Sequence, residues 1–435
     1  MFGFKRKKKA TNNPFTPGFG IVPEEFRGRD EEIKYFTGIV GEIGQKLPSK
    51  VTDGMVNNRI VVLFAPRGQG KTALLSYLEH HQQDINKSSD ADVPVRIINV
   101  TATQLGLSDL HAHLMHEGLE TEINRESQTN VEGKGTLGNE LIGKVEGNVE
   151  HIRSTTQTFK GVIQDYEHLF RLATEYGKKP LLLCVDEAHH VADNRLVEFI
   201  SCGQEAIRDG MPMSIVLAGT PELIDLPSRL KATFLERAKF KSINRLSDDT
   251  VYEILRKTFA NHGVKIPKDK LDHMTKECQG YPYFSQLYGE SVWNHCVSSK
   301  RRSSMNSQTW ANASKDFQEQ RTLMYSRRYR ELVSEKLLAQ ANVIAKLFQT
   351  KNELSYDVVS AHLISSGFTN VHEDVEALVR LGYVWTPADA PEKLQKGIPS
   401  LLDYVSDRHD QLMHIQNKNK QCSDSLGQRF NSCNL

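Results

Sequence analysis

A glycine-containing loop between an apolar strand and a helix is the feature that most restricts how this chain can fold. The run Ile60–Phe64 reads as a buried strand, and residues 65–72 follow it as A-P-R-G-Q-G-K-T. Glycines at 68 and 70 allow tight turns and a close approach of the backbone to an anion, and the helix that begins near Lys71 adds partial positive charge. Such loops wrap backbone N–H groups around the phosphates of a nucleotide. The sequence therefore predicts a nucleoside triphosphate site in an α/β fold.

Two side chains of this loop have predicted roles. Lys71 should reach the β- and γ-phosphates, and the Thr72 hydroxyl should ligate Mg²⁺. The usual loop of this kind begins with glycine, but here that position is Ala65, so we expect ordinary extended backbone there. A glycine turn that binds nothing is the alternative. The residues expected to bind nucleotide are Ala65, Pro66, Arg67, Gly68, Gln69, Gly70, Lys71, Thr72 and Ala73.

A second apolar strand, Leu181–Val185, ends in the carboxylates Asp186 and Glu187. Ligands bind at the C-terminal ends of parallel strands, so we expect both carboxylates at the same sheet edge as the phosphate loop. Asp186 is suited to the magnesium site, and Glu187 to the base that orients an attacking water. A solvated turn is the alternative. His189 and His190 are interpreted as incidental residues at the start of a helix.

A third apolar strand, Ser214–Ala218, is followed by Gly219, Thr220 and Pro221. Thr220 stands where a polar side chain can contact the γ-phosphate or the attacking water and so report which nucleotide is bound. A threonine that only caps the next loop is equally consistent with this spacing.

The order of these elements resembles the AAA+ ATPases, in particular the bacterial and archaeal ATPases related to origin-recognition initiators. Residues 13–20 with 27–32 resemble the segment that lies against adenine in that group, and residues 280–284 resemble a G-x-P turn of its helical lid. Residues 397–404 are similar to the segment that closes its C-terminal domain. The resemblance extends over residues 13–405, and the phosphate loop and the acidic strand are its most specific parts.

This resemblance implies ATP and Mg²⁺ as ligands and hydrolysis of ATP to ADP and phosphate as the reaction. Arg237 would then be an arginine finger that acts on ATP bound by a neighbouring subunit, with Arg229 as the nearby rival. A surface arginine paired to Glu236 is the structural alternative. The implied catalytic residues are Glu187, Thr220 and Arg237.

The predicted lid offers the turn Gly280–Pro282 where many AAA+ lids place an arginine against the γ-phosphate. In this respect the chain is similar to signal-transduction ATPases, which favours a slow switch over a continuous motor. Arg29 and Pro282 are further residues that the resemblance places against the nucleotide.

The expected fold class is α/β, a parallel-sheet P-loop core of the AAA+ type with a helical lid and a C-terminal winged-helix-like domain. In that last domain the third helix, near residues 373–380, is acidic and would oppose DNA phosphates. The expected divisions are a basic extended tail at 1–20, the core at 21–246 with an insertion near 127–149, the lid at 247–330, the winged-helix-like domain at 331–408 and a disordered tail at 409–435.

Charge and composition restrict the possible partners. The net charge of +1 argues against binding of polyanions through overall charge. Local basic clusters at residues 5–9, 300–302 and 327–330 could contact the phosphates of DNA or an acidic lipid surface, although a solvated tail or face is the usual explanation for such runs. A homo-oligomer, or another partner that supplies or receives an arginine finger, is also expected.

Membrane insertion and export are not expected. No stretch approaches the ~18 consecutive apolar residues of a membrane helix, and the N-terminus lacks the apolar core of a secretory signal. Six dispersed cysteines suit a reducing compartment, so a cytoplasmic location is expected. Three hypotheses remain open for the role of the chain: an ATP-dependent switch on DNA, a protein-facing signalling or defence ATPase, and a scaffold that holds nucleotide without hydrolysis.

Overall fold

The computed structural model describes residues 13–18, 20–45, 59–114, 165–176, 180–297, 306–387 and 390–411. The expected insertion near 127–149, the basic clusters at 5–9 and 300–302 and the tail beyond residue 411 lie outside the described residues.

A five-stranded parallel sheet forms the centre of the N-terminal half. Its strands are β1 (Ile60–Phe64), β2 (Arg96–Thr101), β3 (Leu181–Asp186), β4 (Met213–Gly219) and β5 (Lys239–Ser242), in the order β2-β3-β4-β1-β5. Every residue of β1, β3 and β4 is buried, as the continuous apolar runs predicted. All neighbouring pairs are parallel, so the C-terminal ends of the strands share one edge. The expected α/β parallel-sheet fold is confirmed.

Helices pack around this sheet. They are α1 (Asp30–Gly44), α2 (Lys71–His80), α3 (Gln82–Ser88), α4 (Tyr166–Tyr176), α5 (Asp193–Arg208) and α6 (Leu226–Leu230), and residues 107–114 are also helical. In α2, Leu74, Leu75 and Leu78 are fully buried, as their spacing predicted.

A second group of helices follows β5, where the lid was expected. It consists of α7 (Asp248–Asn261), α8 (Lys268–Cys278), α9 (Pro282–Val292) and the long α10 (Ser307–Ser334). The expected division at 330/331 lies inside α10. Phe15, assigned from sequence to an extended tail, is instead buried in this group, with its ring 4.7 Å from that of Phe259. The N-terminal segment is therefore part of the lid core.

The C-terminal region contains α11 (Leu338–Leu347), β6 (Glu353–Ser355), α12 (Tyr356–Ser365), α13 (Val371–Arg380), β7 (Val384–Trp385) and β8 (Lys393–Lys396), and residues 401–411 are helical. Its strands form an antiparallel sheet in the order β6-β8-β7. The buried residues of this region and of the lid helices form one hydrophobic core. Trp385 points the other way and packs into the core of the parallel sheet, 5.7 Å from the ring of Phe64.

Within the ranges that the structure describes, no helix is both long enough and apolar enough to cross a lipid bilayer.

Candidate nucleotide-binding site

The loop between β1 and α2 has the backbone that its glycines predicted. Gly68 and Gly70 have φ of 83° and 89°, and Gly70 directly precedes α2. All residues of 65–72 are described, and only these two have positive φ. Ala65 therefore keeps an ordinary conformation, and its N–H donates to the carbonyl of Gly219 at 3.3 Å. The missing first glycine costs the loop no strain.

The Lys71 amino group is buried inside this loop. Its Nζ donates to the carbonyl oxygens of Ala65 at 2.8 Å and of Pro66 at 3.2 Å. Burial lowers the pKa of Lys71 from 10.5 to about 8, and the negative charges of Glu187 and Asp186 oppose that effect. Two carboxylates from a distant part of the sequence are thus close enough to act on this lysine.

The acidic pair follows directly from the end of β3. The buried Asp186 carboxylate accepts the N–H of Glu187 at 2.9 Å. Glu187 has the left-handed φ of 55°, so the chain turns sharply between the strand and the next residues. Its side chain is 40% exposed, and its Oε2 lies 3.4 Å from His189 Nε2 and 3.5 Å from His190 Nε2.

One cavity of about 950 Å³ brings these groups together. Its wall combines the phosphate loop and both carboxylates with residues of the N-terminal segment, the lid and the C-terminal region. Of the residues predicted to bind nucleotide or metal, those on the wall are Arg67, Gly68, Gln69, Gly70, Lys71, Thr72, Ala73, Arg29, Pro282 and Asp186. Ala65 and Pro66 contribute through the carbonyl groups that hold Lys71.

Thr220 lies at the end of β4, between the strands that carry the loop and the acidic pair. It precedes a short 3₁₀ turn, Pro221–Asp225, but its side chain makes no capping hydrogen bond. The hydroxyl is buried and has no hydrogen-bond partner among the described residues. A purely capping role, the alternative left open by the sequence, is therefore not what the structure shows.

His189 lies in the short helical turn after the acidic pair, as expected, but its side chain is buried, which the sequence interpretation did not predict. Its side chain is only 2% exposed, and the N–H of Thr220 donates to its Nδ1 at 3.4 Å. Burial lowers the pKa of His189 to about 3, and the positive charges of neighbours such as His190 and Arg67 act in the same direction. The ring is therefore neutral at physiological pH. No sequence pattern indicated this burial, because two adjacent histidines after an acidic pair are equally consistent with an exposed turn.

Arg29 lies on the cavity wall, but its hydrogen bonds go to protein. Its guanidinium donates to the carbonyl oxygens of Gln69 and Asn244, both at 2.9 Å, and lies 3.7 Å from Glu32. Burial lowers the pKa of Arg29 below its usual value. Arg29 thus supports the phosphate loop through the carbonyl of Gln69, and its contact with the nucleotide stays a prediction.

The start of α9 rests directly on the phosphate loop. The Tyr281 hydroxyl donates to the carbonyl of Arg67, and the N–H of Tyr283 donates to the carbonyl of Gly68 at 3.3 Å. Pro282 between them is on the cavity wall. The G-x-P turn of the predicted lid is therefore in contact with the loop.

Arg328 on α10 is a cavity residue that the sequence interpretation missed. It was grouped with the neighbouring arginines as a basic cluster, whereas the structure places it on the cavity wall with an ion pair to Glu331 at 2.7 Å. Tyr325 and Leu332, three residues before and four after it, are buried and so mark the inward face of α10. That spacing is the signal that could have identified Arg328.

The two candidate arginine fingers differ in their surroundings. Arg229 forms an ion pair with Asp193 at 3.1 Å. Arg237 is exposed at the end of the short 3₁₀ turn Thr233–Arg237, and no ion pair joins it to Glu236 or to another residue in the described ranges. Arg237 is thus the one with its guanidinium available to another molecule.

Comparisons with known proteins agree with this fold. Residues 55–226 match the family described as AAA domain, and no curated protein matches the sequence significantly. The structure of the Aeropyrum pernix ORC2 protein (ADPNP–ADP complexes) is 15% identical and has a TM-score of 0.51, covering 92% of this chain and 98% of that chain. The Aeropyrum pernix ORC1 protein in complex with DNA is 14% identical, with a TM-score of 0.40 and coverage of 91% and 96%. At this identity the likeness to ORC2 shows a shared fold.

Proposed function

We propose that this chain, which contains an AAA domain and has the P-loop AAA+ fold, binds ATP with Mg²⁺ and hydrolyses it as a nucleotide-controlled switch. One observation carries the proposal. The phosphate loop with its buried lysine and the acidic pair from a distant strand line the same cavity. A cation, a row of backbone N–H groups and two carboxylates in one cavity are the groups that a metal-bound triphosphate requires.

The residues divide between binding and chemistry. Lys71 and the loop N–H groups would hold the phosphates, while the Thr72 hydroxyl and the Asp186 carboxylate would hold Mg²⁺. The metal would neutralise charge on the phosphate oxygens. Glu187, which is turned out of the strand toward the cavity and is partly exposed, is placed to accept a proton from an attacking water.

The apolar part of the cavity wall suits a nucleoside. Its apolar surface comes from Ile21 and Phe26 of the N-terminal segment and from Leu246 and Ile254. Apolar walls with a few polar groups are usual for sites that hold a heterocyclic base. The preference for adenine rests on the family resemblance.

Arg237 supports a role for assembly in hydrolysis. An exposed arginine without an ion pair in the described ranges can reach the nucleotide of an adjacent subunit, where a guanidinium is worth ~10³ to 10⁵ in rate. Arg229 is already held by Asp193 at 3.1 Å. We therefore assign the finger to Arg237 and expect hydrolysis to depend on protein concentration.

The described surface favours protein over DNA as the partner of the C-terminal region. Its helix α13 carries Glu373, Asp374 and Glu376, which would repel phosphates, and Arg328 of one predicted basic cluster faces the cavity. Binding to duplex DNA with an affinity that falls steeply with salt would contradict this preference.

Two substitutions test the site. Lys71→Ala should abolish ATP binding, because it removes the cation of the loop, and Glu187→Gln should bind ATP but turn it over ~10² to 10⁴ times more slowly. Lys315→Ala, which removes an exposed lysine paired with Glu319 on α10, is the control and should behave as the parent. Binding is measured by calorimetry and turnover by single-turnover hydrolysis. Parental affinity in Lys71→Ala would refute the phosphate site, and equal rates in the parent and Glu187→Gln would refute the catalytic assignment.

A further inference from the structure

His189 joins the end of β4 to the acidic pair. Its ring lies beneath Gly219, where an added Cβ would come within 2.7 Å of Nδ1. The absence of a side chain at that position makes room for the imidazole. On one side the ring receives the N–H of Thr220 at 3.4 Å, and on the other its Nε2 lies 3.4 Å from Oε2 of Glu187.

These contacts determine which ring nitrogen carries the proton. A neutral imidazole has one N–H and one acceptor nitrogen. Because the backbone N–H of Thr220 faces Nδ1, that atom is the acceptor and the proton lies on Nε2. Nε2 is buried and has no well-aligned hydrogen-bond partner in the described part of the chain. Oε2 of Glu187 lies 3.4 Å from Nε2, and this partly exposed carboxylate can rotate to accept its proton in a hydrogen bond.

We propose that His189 is a positioning residue for Glu187. Its Nε2–H donates to the Glu187 carboxylate and holds that group in the orientation that accepts a proton from the attacking water. The Thr220 N–H keeps the imidazole in the donating tautomer, so a displacement at the end of β4 is transmitted to Glu187. This role in the reaction rests on the proposed ATPase function.

The charges around the His189 ring keep the imidazole neutral, so that it can donate a hydrogen bond from Nε2 without taking up a second proton. His190, Arg67, Lys71 and Arg229 all disfavour a positive imidazolium at this position. Protonated His189 would also lower the basicity of Glu187, because a full positive charge would stabilise the carboxylate. A neutral donor orients Glu187 at smaller cost to its basicity.

A metal ion is the competing occupant. One ligand atom each from Glu187, His189 and His190 lies within 4.8 Å of the others. Binding through Nε2 of His189 would, however, require its proton on Nδ1, which would then oppose the N–H of Thr220. The hydrogen-bond geometry therefore favours the donor role, and the metal becomes an outcome of the test.

Kinetics of two His189 variants test the proposal. His189→Leu keeps the volume and removes both polar contacts, whereas the Nε2 amide of His189→Gln can still donate. At saturating ATP we expect His189→Leu to slow single turnover about tenfold or more, with ATP affinity within about twofold of the parent, and His189→Gln to recover most of that loss. His372→Gln, at an exposed histidine 2.8 Å from Glu376, is the matched control.

A double-mutant cycle separates positioning from a general structural effect. If His189 acts through Glu187, adding His189→Leu to Glu187→Gln should cause no further slowing. An equal slowing in both backgrounds, or a loss confined to ATP affinity, would overturn the proposal. Thermal unfolding of each variant shows whether the fold is retained, and His189→Gln remains informative if His189→Leu unfolds.

A spectroscopic measurement does not depend on turnover. In protein with ¹⁵N-labelled histidine, the imidazole signals that disappear in His189→Gln should report a neutral ring with its proton on Nε2 at pH 7. They should not change when a chelator is added. A proton on Nδ1, or a zinc-dependent shift reversed by the chelator, would overturn the assignment. If the unsubstituted protein hydrolyses no ATP but shows the expected tautomer, the proposed hydrolysis is wrong, whereas the contact between His189 and the Thr220 N–H exists.

Discussion

Gly68 shows how a single residue determines the join between the phosphate loop and the lid. Its φ of 83° is in the left-handed region, and an added Cβ would lie 2.3 Å from the hydroxyl oxygen of Tyr281. That same hydroxyl donates to the carbonyl of Arg67. Only a residue without a side chain permits both the turn and the close approach of the lid.

Substitution of Gly68 should therefore cost more than backbone strain. We expect Gly68→Ala to lower ATP affinity at least tenfold, because Tyr281 must move and the loop with it, in addition to ~1–2 kcal/mol of strain. Gly263→Ala is the control, since Gly263 also has positive φ, 74°, but open space around its Cβ position. It should lose stability only, with unchanged ATP affinity. Calorimetric titration and urea unfolding of both variants measure the difference, and equal ATP affinities would contradict the contact.

The buried thiols give a prediction that depends on pH. Burial raises the pKa of Cys184 and of Cys278 far above the usual range. Because the thiolate is the reactive form, raising the pH from 7 to 9 should accelerate alkylation of an ordinary exposed thiol but not of these two. Peptide mass spectrometry after iodoacetamide treatment, with and without denaturant, measures this. Rapid labelling of Cys184 in the folded protein would contradict the buried position of β3.

At the scale of elements, two helix-interior glycines should respond to alanine in opposite ways. Gly289 in α9 is covered by Phe15, whose ring would lie 2.2 Å from an added Cβ, whereas Gly38 in α1 has open space. Gly289→Ala should release the N-terminal segment and destabilise the lid, and Gly38→Ala should stabilise α1 by ~0.5–1 kcal/mol. Urea unfolding measures whether each substitution raises or lowers the free energy of unfolding, and proteolysis near residue 15 reports release of the N-terminal segment. A stabilised Gly289→Ala would mean that Phe15 is not seated there.

The elements predicted correctly were those whose burial shows in local sequence. The runs of β1, β3 and β4 are apolar at every position because the sheet is covered on both faces, and α2 shows its leucines at helical spacing. Strands β6 and β8 were missed. They are short and rich in charged residues, and they exist through pairing with each other, Glu353 with Gln395 and Ser355 with Lys393. Pairing between distant segments leaves no periodicity in either.

The residues of the site also divide into those that local sequence indicates and those that depend on contacts between distant segments. The loop and the acidic pair were predictable because their chemistry requires specific residues in sequence order. Arg328 and His189 depend on which surfaces meet after folding: α10 must lie over the cavity, and β4 must end beside the acidic pair. Sequence patterns of either residue alone do not contain that information.

At the scale of the whole molecule, Arg245 ties the C-terminal region to the junction between core and lid. Its Nη2 donates to the carbonyl of Lys396 at 2.7 Å and to that of Gly397. Nearby, the Tyr325 hydroxyl of α10 donates to the carbonyl of Pro399, and Ile398 reaches the cavity wall. A ligand in the cavity would thus contact a segment that Arg245 holds in place.

Loss of this tie should loosen the C-terminal region. We expect Arg245→Ala to lower the free energy of unfolding by ~1–3 kcal/mol, since hydrogen bonds from a charged donor are lost, and to weaken ATP binding through Ile398. Arg256→Ala removes an exposed arginine paired with Glu253 at 2.7 Å and is the control, expected to unfold as the parent does. Calorimetric unfolding with and without ATP compares them. Identical unfolding curves for Arg245→Ala and Arg256→Ala would show that Arg245 does not hold the C-terminal region against the cavity.

The strand order also has a consequence for synthesis of the chain. β1 pairs with β4, Ile60 beside Ile215, and on its other side with β5, Val61 beside Lys239. As the chain leaves the ribosome, the phosphate loop emerges long before either neighbour that flanks its strand, and such distant pairings form slowly. Strand β1 can therefore be flanked on both sides only after β5 has been translated, and until then its exposed apolar residues are available to chaperones.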